Sequence, residues 1–193
     1  MTLDVTQVGF TLELRHPEEL KRQRILTALV VPYGETSMMT SNPKGERFLP
    51  GAFAKSAGDQ ASAVGRRIKL FRNHDHSQPI GVFTRWDDTP EGLVGEARIA
   101  EIPAGDQTIA EIDEGLLDQM SVGFHAIRER KGRGGVREVI EARLLEASVL
   151  ALGAYEGATV LGLRSPSGVA VDVSRIVLPP APPYRFDEPL RPW

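Results

Sequence analysis

Alternation of apolar and polar positions runs through most of this chain and predicts strands. Val8-Gly9-Phe10-Thr11-Leu12-Glu13-Leu14-Arg15 changes side at every residue, the period of a half-buried strand. Arg24 to Val31 is a longer apolar run, stopped by Pro32 and Gly34. Residues 35–46 are rich in Ser, Thr, Asn, Pro and Gly and read as a flexible loop. A short helix is expected from near Gly51 to near Gly58. Ile68–Arg72 and Ile80–Trp86 read as strands, and the polar turn 87–92 joins the latter to Leu93–Ile99 as a hairpin. Residues 104–117 place Ile109, Ile112, Leu116 and Leu117 at helical spacing, with the helix closing near Gly115 or just after Leu117. Met120–Arg130 and Val136–Leu152 are strand-like, joined by the flexible turn Lys131-Gly132-Arg133-Gly134-Gly135. About seven strands and two or three helices result. The expected class is mainly β with peripheral helices (α+β), an antiparallel barrel or sandwich.

The pattern changes at Ser165. Half of the 14 prolines fall between Pro166 and Trp193, and proline cannot donate to a ladder. Residues 1–164 are therefore expected to form one domain, and 165–193 an extended tail with Val169–Leu178 as its one candidate strand. The length of 193 residues fits one domain plus extra chain. Composition changes the picture by exclusion. The net charge of −3 argues against a phosphate-binding protein, so no nucleic-acid partner is expected. With no cysteine, disulfides, thiolate zinc sites, iron–sulfur clusters and a cysteine nucleophile all drop out. The N-terminus lacks the basic and apolar regions of a signal peptide, and no run approaches the ~18 apolar residues of a membrane span. A soluble, unexported protein with no membrane contact is the expectation.

Three segments carry candidate chemistry. Leu70-Phe71-Arg72-Asn73-His74-Asp75-His76 places two of the 4 histidines at the end of an apolar strand. They read as a surface pair, as a base facing a cleft, or, at i, i+2 on a strand, as two ligands of a shared zinc. No third ligand stands at a recognisable spacing, and chelator sensitivity would separate a metal-dependent hydrolase from the other readings. Ser121 lies in Met120-Ser121-Val122-Gly123-Phe124, either as a packed hydroxyl or as a nucleophile. It is not the elbow of hydrolases, because no Gly stands at −2. Glu146 interrupts the apolar strand Leu144-Leu145-Glu146-Ala147-Ser148-Val149-Leu150, either facing solvent or paired in a site. Alternation puts Glu146 and Ser148 on one face and Leu145, Ala147 and Val149 on the other. A serine attacks a peptide bond only if a neutral imidazole takes its proton, and the imidazole needs an acceptor to fix its tautomer. His125, four residues beyond Ser121 on one strand, is roughly 13 Å away at ~3.3 Å per residue. His74 comes from another strand and is free to approach.

Gly51-Ala52-Phe53, then Asn73-His74-Asp75 with Pro79-Ile80-Gly81, then Met120-Ser121-Val122-Gly123-Phe124, then Leu145-Glu146-Ala147-Ser148-Val149 follow one another in a telling order. Over roughly residues 24–163 the chain resembles the tailed-phage (caudovirus) prohead serine protease family, which is related in fold to the herpesvirus assembly proteases. The resemblance implies an antiparallel β-barrel ringed by helices. It implies an endopeptidase that matures the prohead in the host cytoplasm, with scaffold protein, the scaffold-like segment of the major capsid protein and the chain itself as substrates. By position it makes Ser121 the nucleophile, His74 the general base and Glu146 the third member. It implies no cofactor and no metal, and by analogy with the herpesvirus relatives a homo-oligomer such as a dimer. The oxyanion donors are expected in Ala151-Leu152-Gly153-Ala154, where a Pro-Ala pair is usual and this chain departs. By analogy the Pro-rich tail is removed by self-cleavage. The competing reading is a catalytically inactive homologue acting as a scaffold or assembly factor.

Overall fold

The protein is described from a computed structural model, whose described residues are 24–61 and 67–164. The expected strands at 8–15 and 169–178, and the tail at 165–193, lie outside them. Among the described residues eight strands and two helices succeed one another: β1 (Ile25–Pro32), β2 (Glu46–Phe48), α1 (Ala54–Ala61), β3 (Lys69–Arg72), β4 (Pro79–Asp88), β5 (Gly92–Ile99), α2 (Pro103–Asp113), β6 (Gln119–Lys131), β7 (Arg137–Leu150) and β8 (Thr159–Arg164). A single 3-10 turn, Arg133–Gly135, joins β6 to β7.

The strands pair in the order β2-β7-β3-β4-β5-β1-β8-β6, and β6 pairs again with β7. The ring β7-β3-β4-β5-β1-β8-β6 is therefore a closed barrel of seven strands, with β2 added on β7. Closure removes the exposed edges of an open sheet. The mainly β barrel with few helices is as expected, but it is mixed rather than antiparallel. Both β2 and β3 run parallel to β7. Several strands intervene along the chain between β2 or β3 and β7, and only tight hairpins force antiparallel neighbours. The seven strands also differ from those expected by one. The short β8, broken by Gly162, has no alternation to announce it, and its pairing with β1 and β6 defines it.

The core fills the barrel. Leu26, Ala28, Leu70, Ile80, Leu93, Ala97, Ile99, Met120, Ala147, Val149 and Leu163 all lie in one buried cluster. At one end Phe48 meets Phe53, Phe124 and Tyr155 at ring-centroid distances of 5.1, 4.8 and 5.5 Å, the Phe124 contact edge-on. Each fully buried ring contributes about 1.5–3 kcal/mol, and this cluster supports β6 from beneath. Helix α2 ends as Gly115 allows. Its φ of 71° is left-handed, and the Gly115 and Leu116 N–H groups return to the Ile112 and Glu111 carbonyls. Glu111 of α2 also accepts from Arg72 Nη2 at 2.7 Å, which ties the helix to the last residue of β3.

Three strands, β6, β7 and β3, lie side by side and gather the candidate polar residues. Ser121 on β6 stands opposite Ser148 on β7, and Gly123 opposite Glu146. On the far side of β7, Phe71 of β3 stands beside Ser148. Opposed residues point to the same face of a sheet. Met120, Ala147 and Val149 are the buried inner face, so Ser121, Gly123, Glu146 and Ser148 share the outer one.

Candidate active site

Strand β3 stops at Arg72, and the next two residues turn over. Asn73 has φ 52° and His74 φ 57°, the two non-glycine residues in left-handed conformation among the described residues. The Asp75 N–H closes the turn onto the Arg72 carbonyl at 3.0 Å, and Asn73 N–H bonds the Val149 carbonyl at 3.1 Å. Left-handed φ at both central positions is the requirement of a type I′ turn. It costs a non-glycine residue about 1–3 kcal/mol and is least unfavourable for Asn, Asp and His. Asp75 holds the exit: it accepts from the Ser77 hydroxyl at 2.6 Å and the Ser77 N–H at 3.0 Å, which keep its carboxyl below the usual range. The turn aims the His74 ring back over β7.

There His74 Nδ1 lies 2.7 Å from Glu146 Oε1. A carboxylate only accepts, so Nδ1 carries the proton and Nε2 of the neutral ring is left with its lone pair. Glu146 is 5% exposed, and its other oxygen, Oε2, accepts from the Ser148 hydroxyl at 2.8 Å. A Cβ on Gly123 would stand 2.7 Å from Oε1 and 2.9 Å from the Glu146 Cγ, so the carboxylate lies across the bare backbone of β6 at that position. The oxygen to which His74 Nδ1 is bonded thus lies over Gly123, two residues from Ser121 on the same face of β6. The half-buried Ser121 makes no hydrogen bond to His74 in this geometry; such bonds often tighten only with substrate in place.

The structure thus brings all three candidates to one strand group, with His74 bonded to Glu146 beside the strand that bears Ser121. Glu146 is neither solvent-facing nor alone. The two histidines do not share a strand face: His74 turns to Glu146, while the His76 ring packs on Phe71 at 5.1 Å. His125 is exposed, farther out on β6. One detail of the alternation fails. The register slips between Gly123 and Phe124, whose partners are Glu146 and Leu144, so Leu145 is the bulged residue and is 54% exposed.

Beside Ser121 opens a cavity of about 240 Å³, lined also by Val30, Met120, Phe124, Ala154, Tyr155 and Glu46. It exists because β6 touches β8 only at Gln119, opposite Thr159, and then diverges from it. The loop after β1 fills part of the gap, where the Ser37 hydroxyl bonds the Ala154 carbonyl. Burial, then the nearby Glu46 carboxylate, push the Tyr155 hydroxyl far up, so it stays a donor, at 3.2 Å from Glu46 Oε1. The segment 151–154 does reach this site, since Ala154 and Ser121 line one cavity. Its Gly153 N–H, however, is committed to Gln119 Oε1 at 2.6 Å and does not serve as an oxyanion donor in this state. Sequence reasoning placed Ser148 beside Glu146 but gave it no task, and it missed why position 123 is glycine. The Ser two residues after the Glu, and the Gly two after Ser121, were the available signals.

A family model described as caudovirus prohead serine protease matches residues 10–168. No curated protein matches the chain. Among solved structures it is similar to the Kaposi's sarcoma-associated herpesvirus protease in complex with a hexapeptide phosphonate inhibitor. That likeness has a TM-score of 0.47 and 13% identity, and covers 72% of this chain and 64% of that one. It is similar also to the bacteriophage T4 capsid assembly protease, with a TM-score of 0.47 and 14% identity, covering 67% of this chain and 98% of that one. The chain thus spans just under two thirds of the herpesvirus structure.

Proposed function

This chain belongs to the caudovirus prohead serine protease family, whose members act in phage capsid assembly, and on that premise we propose an endopeptidase with Ser121 as nucleophile, His74 as general base and Glu146 as the orienting carboxylate. The observation that carries this reading is the 2.7 Å bond from His74 Nδ1 to Glu146 Oε1, made above the strand that bears Ser121. Ser121 Oγ attacks the scissile carbonyl while its proton passes to His74 Nε2. The imidazolium forms against the Glu146 carboxylate, which neutralises it. Collapse of the tetrahedral intermediate breaks the C–N bond, and His74 returns the proton to the departing amine. Water then attacks the acyl-enzyme, giving its proton to His74; collapse breaks the ester C–O bond, and His74 returns the proton to Ser121 Oγ as the acid product leaves. Backbone N–H groups near the 151–154 segment, other than that of Gly153, would hold the oxyanion once substrate orders them.

The substrates in this reading are the scaffold protein, the scaffold-like segment of the major capsid protein and the chain's own residues 165–193, cut inside the prohead. It acts as a homo-oligomer, a dimer in the simplest case. Among the described residues no helix is long and apolar enough to cross a membrane. The deciding experiment co-expresses the chain with its cognate capsid and scaffold proteins, beside Ser121→Ala, and reads intact masses. Cleavage lost only in the variant is expected. No cleavage by either protein would favour the inactive assembly factor, and cleavage by both would move the nucleophile elsewhere. An intact tail beside processed capsid protein would overturn the self-cleavage part alone.

A further inference from the structure

Ser148 is fully buried, polar and on the strand that carries Glu146, yet the reaction sequence above gives it nothing to do. At 0% exposure it cannot meet a peptide, so it is no rival to Ser121 as nucleophile. Its hydroxyl proton is committed to Glu146 Oε2 at 2.8 Å. Glu146 is a long side chain with three rotatable bonds, and a single contact to His74 would not fix its carboxylate plane. Two further features do. The Ser148 donor holds one oxygen, and the missing Cβ of Gly123 lets the other lie flat on β6, where any side chain would intrude at 2.7 Å. Remove the donor and a buried carboxylate oxygen is left unsatisfied, which favours rotation toward water.

We propose that Ser148 is a positioning residue, which with the bare backbone at Gly123 fixes the Glu146 carboxylate in the one orientation that presents Oε1 to His74 Nδ1. This deepens the Ser121–His74–Glu146 reading and rests on it for its consequence in catalysis, although the placement of Glu146 is measurable without any cleavage. A hydroxyl at this position acts through Glu146 and then through His74, so its loss slows turnover and leaves substrate affinity alone.

The test uses the full chain carrying Ser148→Ala, Ser148→Thr and Gly123→Ala, each with two readouts. The first is the His74 Nδ1–H proton in ¹⁵N-histidine-labelled protein, recorded in a Ser121→Ala background so that no self-cleavage occurs; with only 4 histidines the spectrum is simple. The second is the split between kcat and KM on the cognate capsid substrate. In Ser148→Ala the downfield Nδ1–H signal is expected to broaden or vanish, and kcat to fall about 10–100-fold with KM within about twofold. Ser148→Thr, which keeps the hydroxyl, restores both if its added methyl is accommodated, and Gly123→Ala reproduces the loss with the Ser148 hydroxyl intact. An unchanged signal and unchanged kcat in a folded Ser148→Ala would overturn the proposal and leave Ser148 a packed hydroxyl. A chain that cleaves nothing but loses the signal in Ser148→Ala would sink the protease reading and keep the positioning role.

Discussion

Strand β7 buries two glutamates eight positions apart, and the two ends treat them alike in every respect but one. Glu146 is 5% exposed and Glu138 3%. Each lies over a glycine whose Cβ would strike its carboxylate, Gly123 at 2.7 Å and Gly132 at 2.4 Å. Each has a partner on both oxygens. Glu138 has Arg47 on Oε1 and Arg130 on Oε2, the latter at 2.6 Å. Glu146 has His74 and Ser148. Burial alone would raise the Glu138 carboxyl, but the two guanidiniums outweigh it and hold it below the usual range. An Arg never gives up its proton at working pH. The difference teaches that a buried, doubly held carboxylate is a structural device until one partner is a group that can exchange a proton. At the Glu138 end the charges are permanent and pin β2 to the β6–β7 ribbon. At the Glu146 end the partner is an imidazole, bonded through one of its two ring nitrogens.

The comparison breaks most sharply at the partners. His74→Ala is expected to lower cleavage by about 10⁶-fold, the scale for removing the nucleophile or the base of such a pair. Arg130→Ala, its counterpart at the other end, leaves the rate per folded molecule within about threefold. Comparable losses in both, measured on protein with matched circular dichroism, would mean that the two ends are not functionally distinct.

The glutamates come next. Glu146→Gln keeps the size but supplies an amide that cannot neutralise an imidazolium, and a fall in kcat of about 10²-fold or more is expected. Glu138→Gln should leave kcat alone and cost stability, about 1–3 kcal/mol by urea unfolding, because two half-exposed guanidiniums lose their buried partner. The pH dependence has a definite sign. The Glu138 carboxyl is held below its unfolded value of 4.5. Its contribution is therefore complete above that pH and is lost as pH falls through the folded value. The wild-type protein should lose stability more steeply below about pH 4.5 than Glu138→Gln. Parallel curves would show that the arginines do not lower the carboxyl.

How much of this was legible in the chain differs between the two ends. Ser121, His74 and Glu146 could be singled out because each is a polar residue interrupting an apolar strand or ending one, and their order along the chain resembles a family. The barrel was legible from alternation, since six of its seven ring strands carry the period or the apolar run themselves. The Glu138 cluster was invisible: Arg47, Arg130 and Glu138 sit in charged surroundings where nothing marks which charges meet. Parallel pairing on β7 was equally hidden, because direction is set by how long connections pack. The αL turn at Asn73 and His74 gave no warning either, as neither residue is a glycine.

Leu145 is where local pattern and tertiary pairing disagree most plainly, and it supplies the smallest expected effect. Alternation from Leu144 to Leu150 assigns Leu145 an inner position with Ala147 and Val149. A buried leucine there would cost about 2–5 kcal/mol when cut back. The register slip opposite Gly123 and Phe124 instead bulges Leu145 outward, 54% exposed, and leaves Leu144 inside at 3%. That slip is what returns Glu146 to the outer face with Ser121 after Ala142 and Leu144 have occupied the inner one. Leu145→Ser should therefore change stability by no more than about 0.5 kcal/mol and leave cleavage unchanged, while Leu144→Ala is costly. If Leu145→Ser proves as costly as Leu144→Ala, the bulge is misplaced. The face-sharing of Glu146 with Ser121, on which the contrast between the two glutamates depends, then fails with it.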